Sequence, residues 1–304
     1  MPELPEVETV ARTLAPSVEG RRIAKVDMLW SKSMQGAVEA LEPGAHSLLG
    51  RRIAKVSRRA KVLLLHLESP VGANNEHAPH LLAFHLKMSG QVMVYPMDEP
   101  AHKHTRLIFE LTGEVEEGNA PAKNALPAGR LFFDDTRKFG YCRILTPATL
   151  KDWAFWQALG PEPLEIDAVR FKQCFLDSHG RARSGKIKAL LLDQAVIAGI
   201  GNIYADEALF RAGISPLAPG KTLKAKDFTR LHQAVQEVLL EAIAACGSSI
   251  RDYRDADGNV GAFQNTFRVY GRKGSACLTC AAPLTQTRVA GRTTTFCPRC
   301  QSGG

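Results

Sequence analysis

The chain has 304 residues, 45% of them hydrophobic and 23% charged, which is enough to bury a sizeable core in one large or two ordinary domains. It has no apolar run near the roughly 20 residues that cross a bilayer, so we expect no membrane insertion. Residues 1–10 hold three glutamates and no basic segment, which argues against a secretory signal and favours the cytoplasm. Lys and Arg (39) exceed Asp and Glu (31), and the net charge of +8 favours an anionic partner.

The first predicted element is a short helix over Glu6–Leu14. Apolar residues recur there at helical spacing from Val7 onward, and Pro5 suits the first helical position. Pro16 is expected to end the helix, because proline lacks the N–H group that a helix interior requires.

Between Arg21 and Leu145 the apolar residues alternate with polar ones, which predicts an antiparallel β-sandwich. Two polar stretches that contain Pro or Gly, Ser69–Pro79 and Gly113–Gly129, are predicted to be long surface loops. The predicted strands are Arg52–Val56, Val62–Leu67, Leu81–Met88, Arg106–Leu111 and Leu131–Asp134.

The breaker cluster Gly160–Pro163 predicts a domain boundary, because helical patterns dominate after it. A stretch rich in Ser, Asp and Gly over 247–264 is typical of an exposed loop. The predicted helices are Ala168–Asp177, Ile187–Gln194, Ile203–Ala212 and Ala225–Ala245.

Four cysteines near the end of the chain predict one structural zinc ion. Cys277 and Cys280 form one Cys-x2-Cys knuckle, and Cys297 and Cys300 form a second one after sixteen residues. This is the spacing of tetrathiolate zinc ribbons. Because four thiolates leave no open position for water, we expect the ion to stabilise the fold and not to catalyse.

Two groups of basic residues lie in opposite halves of the chain, and each is free of acidic residues. The first group is Arg51, Arg52, Lys55, Arg58, Arg59 and Lys61, and the second is Arg268, Arg272, Lys273, Arg288, Arg292 and Arg299. Either group alone is explained equally well as a solvated face. Together they favour a basic groove for duplex nucleic acid over a site for a small acidic metabolite, because a polyanion releases counterions on binding.

The amino terminus offers a nucleophile. Met1 is usually removed before proline, which would leave Pro2 with a free secondary amine. An α-amino group has a pKa of about 7.7 to 8.0, so a fraction of it is unprotonated at neutral pH. Attack on an aldehydic carbon would then give an iminium ion, and Glu3 and Glu6 could move protons beside it. The alternative is that these glutamates only complement a helix dipole.

These motifs occur together in one family. The chain resembles the formamidopyrimidine-DNA glycosylases, bacterial enzymes that repair 8-oxoguanine, over essentially its full length. The opening Glu-Leu-Pro-Glu-Val resembles this family more than endonuclease VIII, an enzyme for oxidised pyrimidines that usually has Gly after the first Glu and that is the second candidate. The resemblance rests on Pro2–Thr9, Arg59–Lys61, His85–Gly90, Asp135–Gly140, Gly199–Glu207 and the terminal cysteines.

The resemblance implies a bifunctional DNA glycosylase and abasic-site lyase of base excision repair. By carry-over, Pro2 attacks C1′ of the damaged nucleotide and Glu3 is the proton donor. Lys61 serves β-elimination and Arg292 serves δ-elimination. The implied DNA contacts are Met88, His102, Arg137, Phe139, Arg183 and Asn202, of which Met88, Arg137 and Phe139 fill the space left by the extruded base.

Asn202 could instead only cap the helix predicted from Ile203. A departure from the family is Lys87, where Gly is common, which leaves the local strand geometry in doubt.

The implied fold class is α+β, with an N-terminal helix and antiparallel β-sandwich followed by a helix-two-turn-helix domain and a zinc ribbon. The expected partner is double-stranded DNA with oxidised purines, and we expect a monomer with no obligate protein partner. A non-catalytic zinc-ribbon protein that binds nucleic acid is the main alternative, and a metal-dependent nuclease is disfavoured by the closed metal site. The predicted divisions are a catalytic domain over 1–150, a linker over 151–162, a DNA-binding domain over 163–265 with a lesion-capping loop at 247–264, and a zinc finger over 266–304.

Overall fold

A computed structural model describes residues 1–44, 47–68, 77–112, 128–250 and 253–302. The chain forms two compact units. The first comprises Met1–Pro2, Glu6–Gln157 and Ser248–Gly261, and the second comprises Glu3–Pro5, Ala158–Gly247 and Ala262–Gly304. Most of the two predicted surface loops, 69–76 and 113–127, lies outside the described residues.

Helix α1 spans Leu4–Val18 and is longer than predicted. The expectation that Pro16 ends the helix was wrong, since Pro16 lies within the last turn. The apolar stripe continues beyond it, because Val18 is fully buried in the core of the first unit. Burial of this side chain offsets the one backbone hydrogen bond that proline cannot make.

The first unit is a sandwich of two sheets, as predicted. One sheet has the strand order β1-β7-β8-β6 and the other β2-β9-β5-β4-β3, and all neighbours are antiparallel except β2 and β9. The strands are β1 Arg22–Met28, β2 Met34–Gly36, β3 Ile53–Arg59, β4 Val62–Leu67, β5 Leu81–His85, β6 Gly90–Tyr95, β7 Thr105–Thr112, β8 Gly129–Asp135 and β9 Tyr141–Leu145.

Aromatic side chains from both sheets meet in the core of this sandwich. The centre of the Phe84 ring on β5 lies 5.8 Å from the ring centres of Phe109 and Phe133 on the other sheet, and all three side chains are fully buried. Two short helices follow the sandwich, α2 Pro147–Lys151 and α3 Ala154–Gln157. They were not predicted, because each is too short to show a helical period.

The second unit is helical, and its main helices begin within one residue of the predicted positions. They are α4 Ala168–Cys174, α5 Ile187–Leu192, α6 Asn202–Arg211 and α7 Ala225–Ala244. Their apolar faces enclose one core, in which Tyr204 is the largest fully buried side chain. The chain ends in an antiparallel hairpin of β10 Thr285–Val289 and β11 Arg292–Phe296.

The segment Ser248–Gly261 groups with the first unit, although its sequence predicts a loop of the DNA-binding domain. It is held on α1: the N–H of Ser248 donates to the Glu6 carboxylate at 2.8 Å, and the N–H of Ala256 donates to the Thr13 hydroxyl at 3.1 Å. No helix in the described part of the chain has the length and apolar character needed to cross a membrane.

Candidate active site

Glu3 lies at the start of helix α6. Its side chain is 3% exposed, and its two carboxylate oxygens accept hydrogen bonds from the N–H groups of Gly201 (2.8 Å) and Ile203 (3.1 Å). The orphan donors of this helix terminus are thereby satisfied from nearly 200 residues away in sequence. Gly201 is required, because a Cβ there would overlap the Glu3 carboxyl group. The carboxyl group that follows Pro2 is therefore fixed in orientation.

Asn202 does not cap this helix, contrary to the alternative raised from the sequence. The N-cap residue is Gly201, and Asn202 is the first helical residue. The Asn202 amide nitrogen donates to the carbonyl of Thr293 on β11 at 3.0 Å. Asn202 therefore links α6 to the terminal hairpin.

Three of the motifs on which the family resemblance rests lie at one end of the sandwich because of strand register. Val62 pairs with His85, His85 pairs with Tyr141, and Gly90 pairs with Asp135. The β3–β4, β5–β6 and β8–β9 connections therefore lie at the same end of the sandwich. They carry Lys61, Met88 and the loop 136–140, so three separate stretches of sequence meet at one place.

Lys61 occupies a tight turn between β3 and β4. It is only 6% exposed, and Ala60 before it has a positive φ of 54°. Buried His85 is close enough that the charges of Lys87 and Lys61 act on it: burial first, and these lysines second, lower the pKa of His85 to about 3. Burial also lowers the pKa of Lys87. The histidine is neutral at physiological pH, and the positive charge here belongs to the lysines.

The loop between β8 and β9 presents two side chains to solvent. Phe139 is 58% exposed, which is unusual for an aromatic ring, and the guanidinium of Arg137 lies 5.0 Å from the centre of that ring. Met88 on the neighbouring connection is half-buried. An apolar ring and a planar cation exposed together are suited to entering a base stack.

His102 is more constrained than a lone loop histidine. Its two ring nitrogens lie 3.0 Å from the Asp134 carboxylate and 3.1 Å from the Glu99 carboxylate. The hydrogen bond to Asp134, more than the opposing effect of burial, raises the pKa of His102. A DNA phosphate would have to compete with both carboxylates for this ring.

Pro2 and Arg183 occupy contrasting surroundings. Pro2 is buried, and Glu3 separates it from the first residue of α1. Arg183 is exposed in the segment before α5, and its Nε donates to the carbonyl of Leu176 at 3.1 Å. The rest of its guanidinium fork can face an anion.

The first basic group is partly structural. Arg51 is buried, with Nε donating to the Ser47 carbonyl at 2.7 Å, and Arg58 Nε donates to the Glu8 carboxylate at 2.8 Å. Arg52 pairs with Glu68. Because these three arginines bind groups of the protein itself, fewer cations of the predicted basic face are available to an anionic partner.

The four cysteines fit a zinc ion. Their sulfur atoms lie within 4.8 Å of one another, with 3.9 Å between Cys277 and Cys300 and 3.5 Å between Cys280 and Cys297. Four sulfurs about 2.3 Å from a tetrahedral ion would be about 3.8 Å apart. The predicted ligand set is confirmed as a site for one structural zinc.

Arg292 lies at the tip of the zinc hairpin. It is exposed and pairs with Val289, so the turn consists of Ala290 and Gly291, with φ angles of 48° and 71°. Two successive positive φ angles are typical of a type I′ turn. This tight turn holds Arg292 at a defined position.

A buried ion pair supports the strand that carries Arg292. Lys188 on α5 and Asp206 on α6 are almost fully buried, and their charged atoms are 2.7 Å apart. The Lys188 ammonium also donates to the Thr293 carbonyl at 3.0 Å, and Asp206 accepts from the N–H of Thr295 at 3.1 Å. Burial raises the pKa of Asp206 to about 6 despite the nearby Lys188.

Sequence reasoning missed this pair. A charged residue on the apolar face of each of two predicted helices was the available signal.

Comparison with known proteins decides the family. Residues 1–142 match the formamidopyrimidine-DNA glycosylase N-terminal domain, 159–254 match the H2TH domain of the same enzyme, and 274–303 match the zinc finger found in FPG and IleRS. Formamidopyrimidine-DNA glycosylase of Nitratidesulfovibrio vulgaris is 40% identical, with 99% of this chain and 100% of that protein covered. The chain belongs to the formamidopyrimidine-DNA glycosylase family. The enzyme of Chloroflexus aggregans is 44% identical, over 99% of this chain and 98% of the relative.

Solved structures of the family share the fold of this chain. Lactococcus lactis Fpg in complex with a DNA containing N7-benzyl-Fapy-dG is similar with a TM-score of 0.81 and 33% identity, over 99% of both chains. The same protein with abasic-site DNA gives a TM-score of 0.81 at 32% identity, over 98% of this chain and 99% of the other. A MutM complex with DNA containing carbocyclic 8-oxo-G gives 0.80 at 31%, over 99% of both chains. The resemblance found in the sequence and the predicted α+β fold class are thus confirmed.

Proposed function

We propose that this protein is a bifunctional DNA glycosylase and abasic-site lyase that removes oxidised purines, 8-oxoguanine and formamidopyrimidines, from duplex DNA in base excision repair. The observation that carries the proposal is the Pro2-Glu3 terminus at the head of α1 in a chain that matches the family from end to end. The relatives of known structure are bound to DNA with these lesions, which supports the substrate class.

The amine of Pro2 is the nucleophile. After loss of Met1 its lone pair attacks C1′ of the damaged nucleotide, and the bond from C1′ to the base breaks as the base leaves with a proton. The attached amine loses its own proton, and protonation of O4′ then breaks the C1′–O4′ bond, which opens the sugar ring and gives a cationic iminium ion that withdraws electrons from C2′. Glu3 moves between the carboxylate, which the N–H groups of Gly201 and Ile203 stabilise, and the acid that donates a proton. Lys61 serves the first elimination and Arg292 the second, so both phosphates remain on the DNA ends.

Base extrusion requires side chains that replace the lost stacking. Phe139 and Met88 supply apolar surface, and Arg137 offers donors to the cytosine left without its partner. We assign the donors of His102, Arg183 and Asn202 to phosphate contacts, and at Asn202 the donor is the side-chain amide, since the N–H groups at the start of α6 bind Glu3. In this assignment residues 1–150 form the catalytic domain, 163–265 the H2TH domain and 266–304 the zinc finger, with 151–162 as linker and 247–264 as the segment that covers the extruded base.

Zinc would be held by Cys277, Cys280, Cys297 and Cys300, and it supplies structural cross-linking. Thiolate ligands at all four positions agree with that role. We place the protein in the cytoplasm, on the nucleoid when DNA is bound.

An oxidised-pyrimidine enzyme is the second candidate. One observation favours keeping it: a solved complex of Lactococcus lactis Fpg, similar to this chain with a TM-score of 0.80, contains DNA with an oxidised pyrimidine. Excision from matched duplexes with 8-oxoguanine or an oxidised pyrimidine measures the preference, which we expect to favour the purine.

Borohydride trapping tests the chemistry. With duplex that contains 8-oxoguanine opposite cytosine, reduction should link the DNA to the N-terminal peptide, and Pro2→Gly should lower the yield. A matched control is Pro5→Gly, which leaves the terminal amine intact. Unchanged trapping in Pro2→Gly would contradict the assignment. Intact mass measured beforehand establishes that Met1 is absent, since its retention converts the amine into an amide.

A further inference from the structure

The carboxylate of Asp135 organises the loop that bears Arg137 and Phe139. Asp135 is 1% exposed at the end of β8. Its Oδ2 accepts from the N–H of Gly140 at 2.7 Å, and its Oδ1 accepts from the N–H of Arg137 at 3.1 Å. Both ends of the loop are therefore bound to one buried side chain.

Ser89 connects this loop to Met88. The Ser89 hydroxyl is buried, donates to Asp135 Oδ1 at 2.5 Å and accepts from the N–H of Arg137 at 3.1 Å. Ser89 directly follows Met88 in the chain. The connection that bears Met88 and the loop that bears Arg137 and Phe139 therefore share one hydrogen-bond network.

The backbone of both connections is tightly constrained. Lys87 and Lys138 have positive φ angles of 52° and 60°, a backbone conformation that residues other than glycine rarely adopt. A Cβ on Gly140 would lie 2.7 Å from the Phe133 ring. The Lys138 ammonium lies 4.0 Å from the centre of the Trp30 ring, which holds the loop from its outer side. Surrounding contacts are needed to maintain such a shape.

Exposed side chains that act on a partner benefit from being held in place beforehand. Ordering a free loop at the moment of binding costs conformational entropy for each residue that is fixed. A buried carboxylate with three donors removes that cost before DNA is bound, because hydrogen bonds to a charged group are the stronger ones.

We propose that Ser89 and Asp135 are positioning residues for base extrusion: through one shared network they hold Met88, Arg137 and Phe139 as a single preformed wedge. This inference rests on the proposed function of those three side chains. Ser89 and Asp135 touch neither the reacting atoms nor, in this account, the DNA.

The test compares two substrates. Single-turnover rates are measured on duplex with 8-oxoguanine opposite cytosine, where a base must leave the stack, and on duplex with a preformed abasic site, where none must. The variants are Ser89→Ala, Asp135→Asn and Phe139→Ala, with Ser89→Thr as the conservative replacement that keeps the hydroxyl. Ser57→Ala is the matched control, because the Ser57 hydroxyl on β3 bonds to His66 on the neighbouring strand at 2.6 Å.

We expect Ser89→Ala and Asp135→Asn to slow 8-oxoguanine excision about tenfold, which is the effect of losing one hydrogen bond to a charged group. The same variants should change the rate of abasic-site cleavage by less than about twofold. Ser89→Thr should recover most of the loss, and Ser57→Ala should match the wild type. Equal slowing on both substrates, or no slowing on either, would overturn the inference, since loss of stability affects both alike.

Phe139→Ala separates the inference from the function on which it rests. If Phe139→Ala slows excision and Ser89→Ala does not, only the positioning role is wrong. If Phe139→Ala itself has no effect, the wedge assignment fails and the positioning role fails with it. Should Asp135→Asn not fold, Ser89→Ala alone decides, because it removes a single hydroxyl.

Discussion

Lys61 combines a nearly buried position in a turn with the role in elimination that we propose for it. It is nearly buried in a tight turn, and its charge acts on buried His85, whose pKa it helps to lower. A lysine within a basic group of residues is explained equally well as a phosphate contact, and only the resemblance to the family favours a role in elimination. The two explanations predict different defects.

Replacement of Lys61 tests its role. Lys61→Ala should slow strand cleavage by a factor of about 100 to 10,000, the range for loss of a general acid or base, while base release is less affected. Base release is measured by alkali-induced cleavage and lyase activity by direct nicking. Exposed Lys55→Ala on β3 is the control. Equal nicking by wild type and Lys61→Ala would dismiss the assignment.

The surroundings of His102 predict that the stability of the folded protein depends on pH. Its pKa is raised in the folded protein, chiefly by Asp134, with Glu99 as the second acidic neighbour. The protonated ring therefore stabilises the fold fully below its ordinary pKa, about 6.5, and this contribution is lost as pH rises through the raised value. The free energy of urea unfolding should fall from pH 6 to pH 8 by more in the wild type than in His102→Gln. Exposed His179→Gln should behave as wild type, and equal slopes for all three would contradict the prediction.

At the scale of elements, the buried pair of Lys188 and Asp206 joins two helices to the zinc hairpin. Lys188→Ala would leave the Asp206 carboxylate buried without its cation, which typically costs about 3 to 5 kcal/mol. Chemical unfolding should show this loss, and Lys186→Ala, which removes an exposed lysine, should not. The double replacement Lys188→Met with Asp206→Leu should recover much of the stability. A small effect of Lys188→Ala would mean that the pair is accessible to water.

The elements with a clear sequence period were predictable. The strand Val62–Leu67 was predicted with its bounds, because it is a short, almost wholly apolar run that ends at a polar stretch of sequence. The strand Arg22–Met28 was missed, since its apolar residues do not alternate strictly with the polar ones and its register with β7 shifts between Ile23 and Lys25. The cap on α6 could not be predicted at all, because its acceptor is Glu3, which no local pattern connects with that helix.

At the scale of the whole molecule, loss of zinc should unfold the C-terminal ribbon and leave the sandwich folded. Chelation should unfold the ribbon around its four cysteines, because its small apolar cluster consists largely of the zinc ligands themselves, and duplex DNA should bind more weakly. The sandwich has its own core and should remain folded, as judged by protection of its amides from hydrogen exchange. Full DNA affinity with the metal shown to be absent would exclude the ribbon from the binding surface.

The path of the chain has a consequence for dissecting this protein. Residues 3–5 belong to the helical unit although they precede the sandwich, and residues 248–261 belong to the sandwich although they follow the helices. A cut between the halves at residue 157 would leave the helical fragment without the Glu3 that caps α6, and the sandwich fragment without the segment that packs on α1. Neither fragment is complete, so gene truncations cannot assign activities to separate halves, and point substitutions in the intact chain are the sound route.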